Sequence, residues 1–380
     1  MRKKSQMIYA FGGHRKNKLI VTFGEQKAKE LYDEYSFFDK EVVYYPSKDV
    51  LFYQSDIRGN LLTAERIRAL KAIREQERVT LVTTFDALMN TMAPIEKMWE
   101  NVLTLEQGQL LDLKEIQAAL IRMGYEKEYQ VQTMGQFSVR GGILDVFPLT
   151  EENPIRIELW GDEIDTIRYF DCESQKSIEN IDRVSIYPAA ELVLSDEEKA
   201  GGIDKLKAEA KRVSDKLRKQ MKTEEAHRVT VMADELTEEW GELSMYAGMD
   251  VFFVVTFLTR ESGFWIYFNP SDSIIFFDEL TRCVEQGKLT ETEFSESMKQ
   301  RLAMGYILPG QMNGLFTEKE IVAKLGKYSC IALGALDNKA NGLHQLGSYG
   351  IHCQSVSPYN NSFELLIKVF KRYKENGYRV

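Results

Sequence analysis

The sequence predicts an α/β protein, a parallel-sheet body interrupted by a mostly antiparallel α+β domain. Three observations carry that expectation. Short β-branched apolar runs alternate with helically spaced segments through residues 1–102, and strands separated by helices in this way pair in parallel under helices on both faces. Residues 136–171, QFSVRGGILDVFPLTEENPIRIELWGDEIDTIRYFD, switch to a two-residue apolar period with Gly and Asp at the turns, the pattern of half-buried strands in hairpins. Beyond them, apolar runs at 273–279, 330–336 and 350–356 return to the first style and complete the body.

In chain order, residues 18–23 (KLIVTF) form the first strand, and 25–38 a helix with Ala28, Leu31, Tyr32 and Tyr35 on one face. A second strand at 41–45 (EVVYY) leads to a helix at 61–73 whose apolar side is Leu62, Ile67, Leu70 and Ile73. Residues 80–84 (TLVTT) are a third strand, and 85–92 turns helical. The inserted domain is expected to begin near Leu103. Its helix, 112–123, carries Leu113, Ile116, Leu120 and Met123 on one side and stops at Gly124, as helices often do at a residue free to take positive φ. Strands follow at 137–140 and 143–147, split by Gly141-Gly142, then at 155–160 and 163–170, joined by a turn at Gly161-Asp162. Within 155–160, Ile155, Ile157 and Leu159 face a core, which places Arg156, Glu158 and Trp160 together on the opposite side. Pro188 marks the exit from the insert.

Residues 195–228 read as one exposed helix with a narrow stripe of Ile203, Leu206, Ala210, Val213, Leu217 and Met221. The basic cluster from Lys211 to Lys222 is then a solvated face rather than a DNA contact. Aromatics gather from 249 onward: Phe252, Phe253, Phe257, Phe264, Trp265, Tyr267, Phe268, Phe276 and Phe277, expected as the core of further strands. A last helix at 363–373 turns Phe363, Leu366, Ile367 and Phe370 inward.

With 28% charged and 44% hydrophobic residues, the 380-residue chain has the composition of a globular protein of two or three domains. No apolar run reaches membrane-spanning length, and the start carries no secretory pattern, so the expected location is the cytoplasm. A net charge of −9 argues against a nucleic-acid clamp, since that affinity comes from clustered Lys and Arg. The arithmetic points to a protein partner first. Cys172, Cys283, Cys330 and Cys353 are scattered, and His344 and His352 match no metal-ligand spacing, so neither a disulfide framework nor a metal cofactor is expected.

The parallel layout invites a nucleotide site, which needs a glycine-rich loop ending in Lys-Ser/Thr to cradle phosphate. No such loop occurs in the sequence, and Phe11-Gly12-Gly13-His14 feeds a strand rather than a helix. Asp278-Glu279, closing the run SIIFFDE, resemble a strand-end acid pair that would hold Mg²⁺. Without a phosphate loop they are not taken as catalytic.

The segment VRGGILDVFP, followed by PIRIELWGDEIDTIRYFD, by Ser174-Gln175-Lys176-Ser177 and by Pro188-Ala189-Ala190-Glu191, resembles the bacterial transcription-repair coupling factors (Mfd) and, more distantly, the excision-repair subunit UvrB. The resemblance implies a body that is a degenerate RecA-like (P-loop NTPase-like) domain with no working nucleotide site. It implies domains at 1–102, 103–190 and 191–356, with 357–380 opening a further domain, and a chain that is an excised N-terminal portion. It implies that the insert recruits UvrA to stalled transcription complexes, with Arg140, Arg156 and Trp160 at the positions that touch UvrA. Trp160 stands where some relatives carry phenylalanine. RNA polymerase and DNA would be met through other domains, and a C-terminal domain of the whole protein could mask the UvrA face. The alternatives are a DNA-dependent ATPase or helicase acting through Asp278-Glu279, and a UvrB-like module that loads damaged DNA.

Overall fold

A computed structural model describes residues 2–13, 15–48, 56–242, 262–335, 342–351 and 362–377. By their contacts these form two units, one up to Leu343 and a small one from His344. In the first, β13 (Ser329–Leu333), β12 (Ser273–Asp278), β1 (Asn17–Thr22), β3 (Thr80–Thr84) and β2 (Val43–Tyr45) lie side by side in that order, every pairing parallel. Their near-continuous apolar sequences follow from burial on both faces. Ile20, Val82 and Phe276 pack against Ile8 of α1 (Arg2–Gly12) and against Ala28, Leu31 and Tyr35 of α2 (Glu25–Tyr35). Leu19, Val21, Leu81 and Phe277 point the other way, into a larger core shared with α3 (Asp56–Glu75), α4 (Phe85–Met89) and α9 (Leu280–Met304). There α9 crosses α4 so closely that a Cβ on Gly287 would stand 2.4 Å from the Phe85 ring.

The chain leaves the body through β4 (Leu103–Glu106) and returns through β11 (Arg183–Ile186), and these two pair antiparallel. Entry and exit of the insert are thereby clipped together. Between them lies a six-stranded sheet in the order β10-β9-β8-β7-β6-β5, antiparallel except for its β5–β6 edge. Its strands are β5 (Glu126–Lys127), β6 (Gln136–Arg140), β7 (Ile143–Val146), β8 (Ile155–Trp160), β9 (Glu163–Phe170) and β10 (Ser177–Ile181). Before it, α6 (Leu113–Arg122) starts at Asp112, whose carboxylate accepts from the Lys114 and Glu115 amides at 2.7 and 3.3 Å. The sheet's inner residues Phe137, Leu144, Val146, Ile155, Ile157, Ile164 and Ile167 belong to the same core as the parallel sheet. In β9 the inward residues Ile164 and Ile167 are three apart rather than two. Pairing explains this: Glu158 faces Thr166 but Leu159 faces Ile164, so Asp165 is the extra residue of a bulge.

Glu191, just past β11, bolts the returning chain to α3. The fully buried Arg66 donates from Nε to Glu191 Oε1 at 2.6 Å and from Nη1 to the Pro46 carbonyl at 2.7 Å, and its guanidinium lies 4.1 Å over the Tyr45 ring. Burial pushes the Glu191 pKa up, but the charges of Arg66 and Lys48 outweigh it and hold that pKa down to about 2.

Several expectations are corrected. Residues 2–12 are helical where the sequence reading saw only a glycine cluster before a strand. The single helix at 195–228 is a pair, α7 (Asp196–Lys219) and α8 (Thr223–Glu242), broken at Met221 with φ +63°. Leu206 and Ala210 of the first pack on Val229 and Ala233 of the second. Pairing stripes bury the two narrow apolar faces that one helix would leave wet. Phe264–Tyr267 is a 3₁₀ turn rather than strand, although Phe264, Trp265 and Phe268 are core as expected. Phe252, Phe253, Phe257, His352 and Cys353 lie outside the described residues, and Gly350 and Ile351 are not in a strand. In the small unit, α11 (Phe363–Glu375) exposes Phe363, Ile367 and Phe370 rather than turning them inward. Among the described residues, no helix is long and apolar enough to cross a membrane.

Candidate functional site

The outer face of the antiparallel sheet is set by register. Asp145 of β7 lies opposite Arg156 of β8, which lies opposite Arg168 of β9, and Ile143 opposite Glu158, which lies opposite Thr166. Two arginines directly across from each other would repel. Each is instead turned to its own acid: Arg156 to Asp145 and Arg168 to Glu158. The hydrogen bond from Arg168 draws the Glu158 pKa below its ordinary value.

Asp145 is the hub. Its side chain is 1% exposed. Its Oδ1 accepts from Arg156 Nε at 2.7 Å, and its Oδ2 accepts from Arg156 Nη2 and from Arg140 Nη2, each at 2.8 Å. Arg156 Nη2 also donates to Gln175 Oε1 at 2.8 Å, and the guanidinium lies 4.3 Å over the Phe170 ring. Gln175 takes φ +57° in the tight loop after β9, where Asp171 accepts from the Ser174 amide and hydroxyl. The Ser174-Gln175 part of the sequence motif is thus the brace behind Arg156. The hydrogen bond to Asp145 raises the Arg156 pKa further above its ordinary value.

The structure therefore brings Arg140 and Arg156 together, but not as two free cations. Both donate to one buried carboxylate. Arg156 is the more committed, with a side chain 13% exposed against 36% for Arg140. Strand alternation could place both arginines on the outer face, but it could not see Asp145. A carboxylate between Leu144 and Val146 was the available signal, since those two point inward and Asp145 outward. Trp160 is where the pattern put it, at the end of β8 and 85% exposed. Beside it Gly141 turns with φ +62°, and a Cβ on Gly142 would stand 3.2 Å from the Leu159 carbonyl oxygen, so this corner of the sheet stays low around the indole. An open groove of about 700 Å³ flanks Trp160, walled by Glu106, Glu163, Asp165, Asp182 and Arg183. Arg183 is itself paired with Glu106 at 3.1 Å.

Asp278 and Glu279 lie elsewhere, at the carboxyl end of β12. Lys4 of α1 reaches both, donating to Asp278 Oδ1 and, at 2.7 Å, to Glu279 Oε1. The sequence reading gave Lys4 no role. Its one signal in the sequence is the four-residue step from Lys4 to Ile8, which puts both on one face once residues 2–12 are helical.

Fold and face together define a mixed α/β protein, with a parallel sheet and an antiparallel sheet, whose antiparallel sheet presents an ordered charge lattice with the Trp160 indole projecting from it. Residues 103–192 match the UvrB interaction domain. The chain is 27% identical over 96% of its length to the transcription-repair-coupling factor of Staphylococcus haemolyticus, and 26% identical over 76% to that of Bacillus subtilis. With that of Staphylococcus aureus it shares 28% identity over 95%. The resemblance read from residues 136–191 is thereby borne out. The chain spans 31%, 24% and 30% of the length of these three relatives, less than a third of each.

Proposed function

We propose that this chain is the docking module of a transcription-repair coupling factor and recruits UvrA through the outer face of its inserted sheet. The observation that carries the reading is Trp160, an exposed indole at the edge of a face whose charges are already fixed. A rigid aromatic that loses little entropy on contact is the usual centre of a binding hot spot. Arg140, partly exposed on the same face, adds a cation. Arg156 acts as the strut that holds Asp145, and through it Arg140, in place.

The body is proposed to be a degenerate RecA-like scaffold, a reading supported by its five parallel strands and by an acid pair at a strand end. Because Lys4 sits on that pair, the chain is read as non-catalytic. ATP turnover by the wild-type chain that disappears in Asp278→Ala would favour the ATPase alternative instead.

Titration of purified UvrA into the wild-type chain and into Trp160→Ala tests docking. Affinity should fall by about 2 kcal/mol or more, roughly thirtyfold, with the melting curve unmoved. Equal affinity for the two chains would remove Trp160 from the interface.

A further inference from the structure

The carboxyl edge of the parallel sheet holds more oxygen than its hydrogen bonds use. Asp278 is 1% exposed, and while its Oδ1 takes the Lys4 ammonium, its Oδ2 is buried with no partner. Thr22 Oγ1 is likewise buried and unpartnered. These two residues are neighbours. Val21 of β1 pairs with Phe277 of β12, so Thr22 and Asp278 come next in register. Ile20 and Phe276, two residues earlier on each strand, both face α1 and α2, so Thr22 and Asp278 face that side too. Glu279 completes the cluster from a left-handed backbone at φ +64°, its Oε1 also accepting from the Ala335 amide at 3.1 Å. Buried polar atoms without partners are uncommon and costly. One of them belongs to the Asp278–Glu279 carboxylate pair and the other is the neighbouring Thr22 hydroxyl; at the strand ends where open α/β sheets bind ligands, they make an oxygen-lined seat for a cation.

The cation now on it belongs to the chain. Lys4 stands in the first turn of α1, where the helix dipole disfavours positive charge, so its position answers to the acid pair rather than to its own helix. Burial works against the charged ammonium, yet the hydrogen bonds to Asp278 and Glu279 leave the Lys4 pKa raised and the Glu279 pKa lowered.

We propose that Asp278, Glu279 and Thr22 form a divalent-cation site of the hard, oxygen-ligand class, occupied by the Lys4 ammonium in place of Mg²⁺ or Mn²⁺, so that metal and ammonium exclude each other. Two carboxylates and a hydroxyl, with water filling the remaining positions, suit ions of this class. The test uses the 380-residue chain titrated with Mn²⁺, the free ion read by electron paramagnetic resonance and folding by circular dichroism. Lys4→Met should bind one Mn²⁺ per chain, displaced by Mg²⁺, while wild type and Lys4→Arg bind none at the same concentrations. Adding Asp278→Asn to Lys4→Met should weaken Mn²⁺ binding by about tenfold or more. No uptake by folded Lys4→Met, or uptake indifferent to Asp278→Asn, would overturn the proposal. The wild-type chain gives an arm that needs no variant. Acylation of Lys4, followed by mass spectrometry, should be slow beside that of exposed Lys222 and should accelerate only as Mn²⁺ is raised well above the concentrations that saturate Lys4→Met, whereas a rate indifferent to Mn²⁺ throughout contradicts mutual exclusion.

Discussion

The two sheets treat their polar residues in opposite ways. At the carboxyl edge of the parallel sheet, Lys4 closes over Asp278 and Glu279, and further around the body Arg66 closes over Glu191. In both places the chain answers its own charges inside. On the outer face of the antiparallel sheet the charges are also answered, by the buried Asp145 and by Glu158, but at a surface that leaves Arg140 partly exposed and Trp160 projecting from the same face. The difference separates a scaffold from a surface. Buried acids tied to cations of the chain itself fix the body as a scaffold. On the proposed docking role, the ion pairs at Asp145 and Glu158 hold the outer surface still without covering Arg140 or Trp160, so a partner would meet an ordered face and need not order it on arrival.

Breaking the body should cost the most. Glu191→Gln leaves Arg66 fully buried without its anion and should destabilise the chain by about 3–5 kcal/mol in denaturant titrations. The same residue sets an acid limit. Because its folded pKa is held near 2, against about 4.3 for an ordinary glutamate, the folded state binds fewer protons than the unfolded one between those values. The contribution of Glu191 is therefore complete above that range and lost as pH falls through it. Wild-type stability should drop across this window more steeply than that of Glu191→Gln, as read from thermal melts at a series of pH values.

The face should break more gently. Asp145→Asn removes the shared anion of Arg140 and Arg156, which remain partly solvated, and should cost roughly 1–3 kcal/mol of stability. It should also weaken UvrA binding, because the two guanidiniums lose their fixed positions. Glu158→Gln frees Arg168 at a more exposed pair and should cost about 1 kcal/mol or less in the same melts.

Much of this contrast was legible in the sequence. Burial on both faces leaves continuous apolar runs, so residues 18–23, 80–84 and 273–279 announced the parallel strands. Alternation in 155–160 told which side Trp160 takes. What alternation cannot report is the residue across the sheet. That Asp145 lies opposite Arg156 depends on register across the 147–154 loop, and that Lys4 reaches Asp278 depends on the tertiary packing of α1. The bulge at Asp165 leaves a trace in the three-residue step from Ile164 to Ile167, but only the pairing across to β8 shows which residue is the extra one. Met221 at positive φ defeated the single-helix reading because nothing in its chemistry favours a left-handed turn.

Docking through this face requires Trp160 to be a contact rather than a core residue, and calorimetric titration of purified UvrA into wild type and Trp160→Ala, beside thermal melts of both chains, tests that most directly. The account predicts an affinity loss of roughly thirtyfold or more with melting unchanged to within about 0.5 kcal/mol. Unchanged affinity, or a loss matched by a comparable loss of stability, would contradict it.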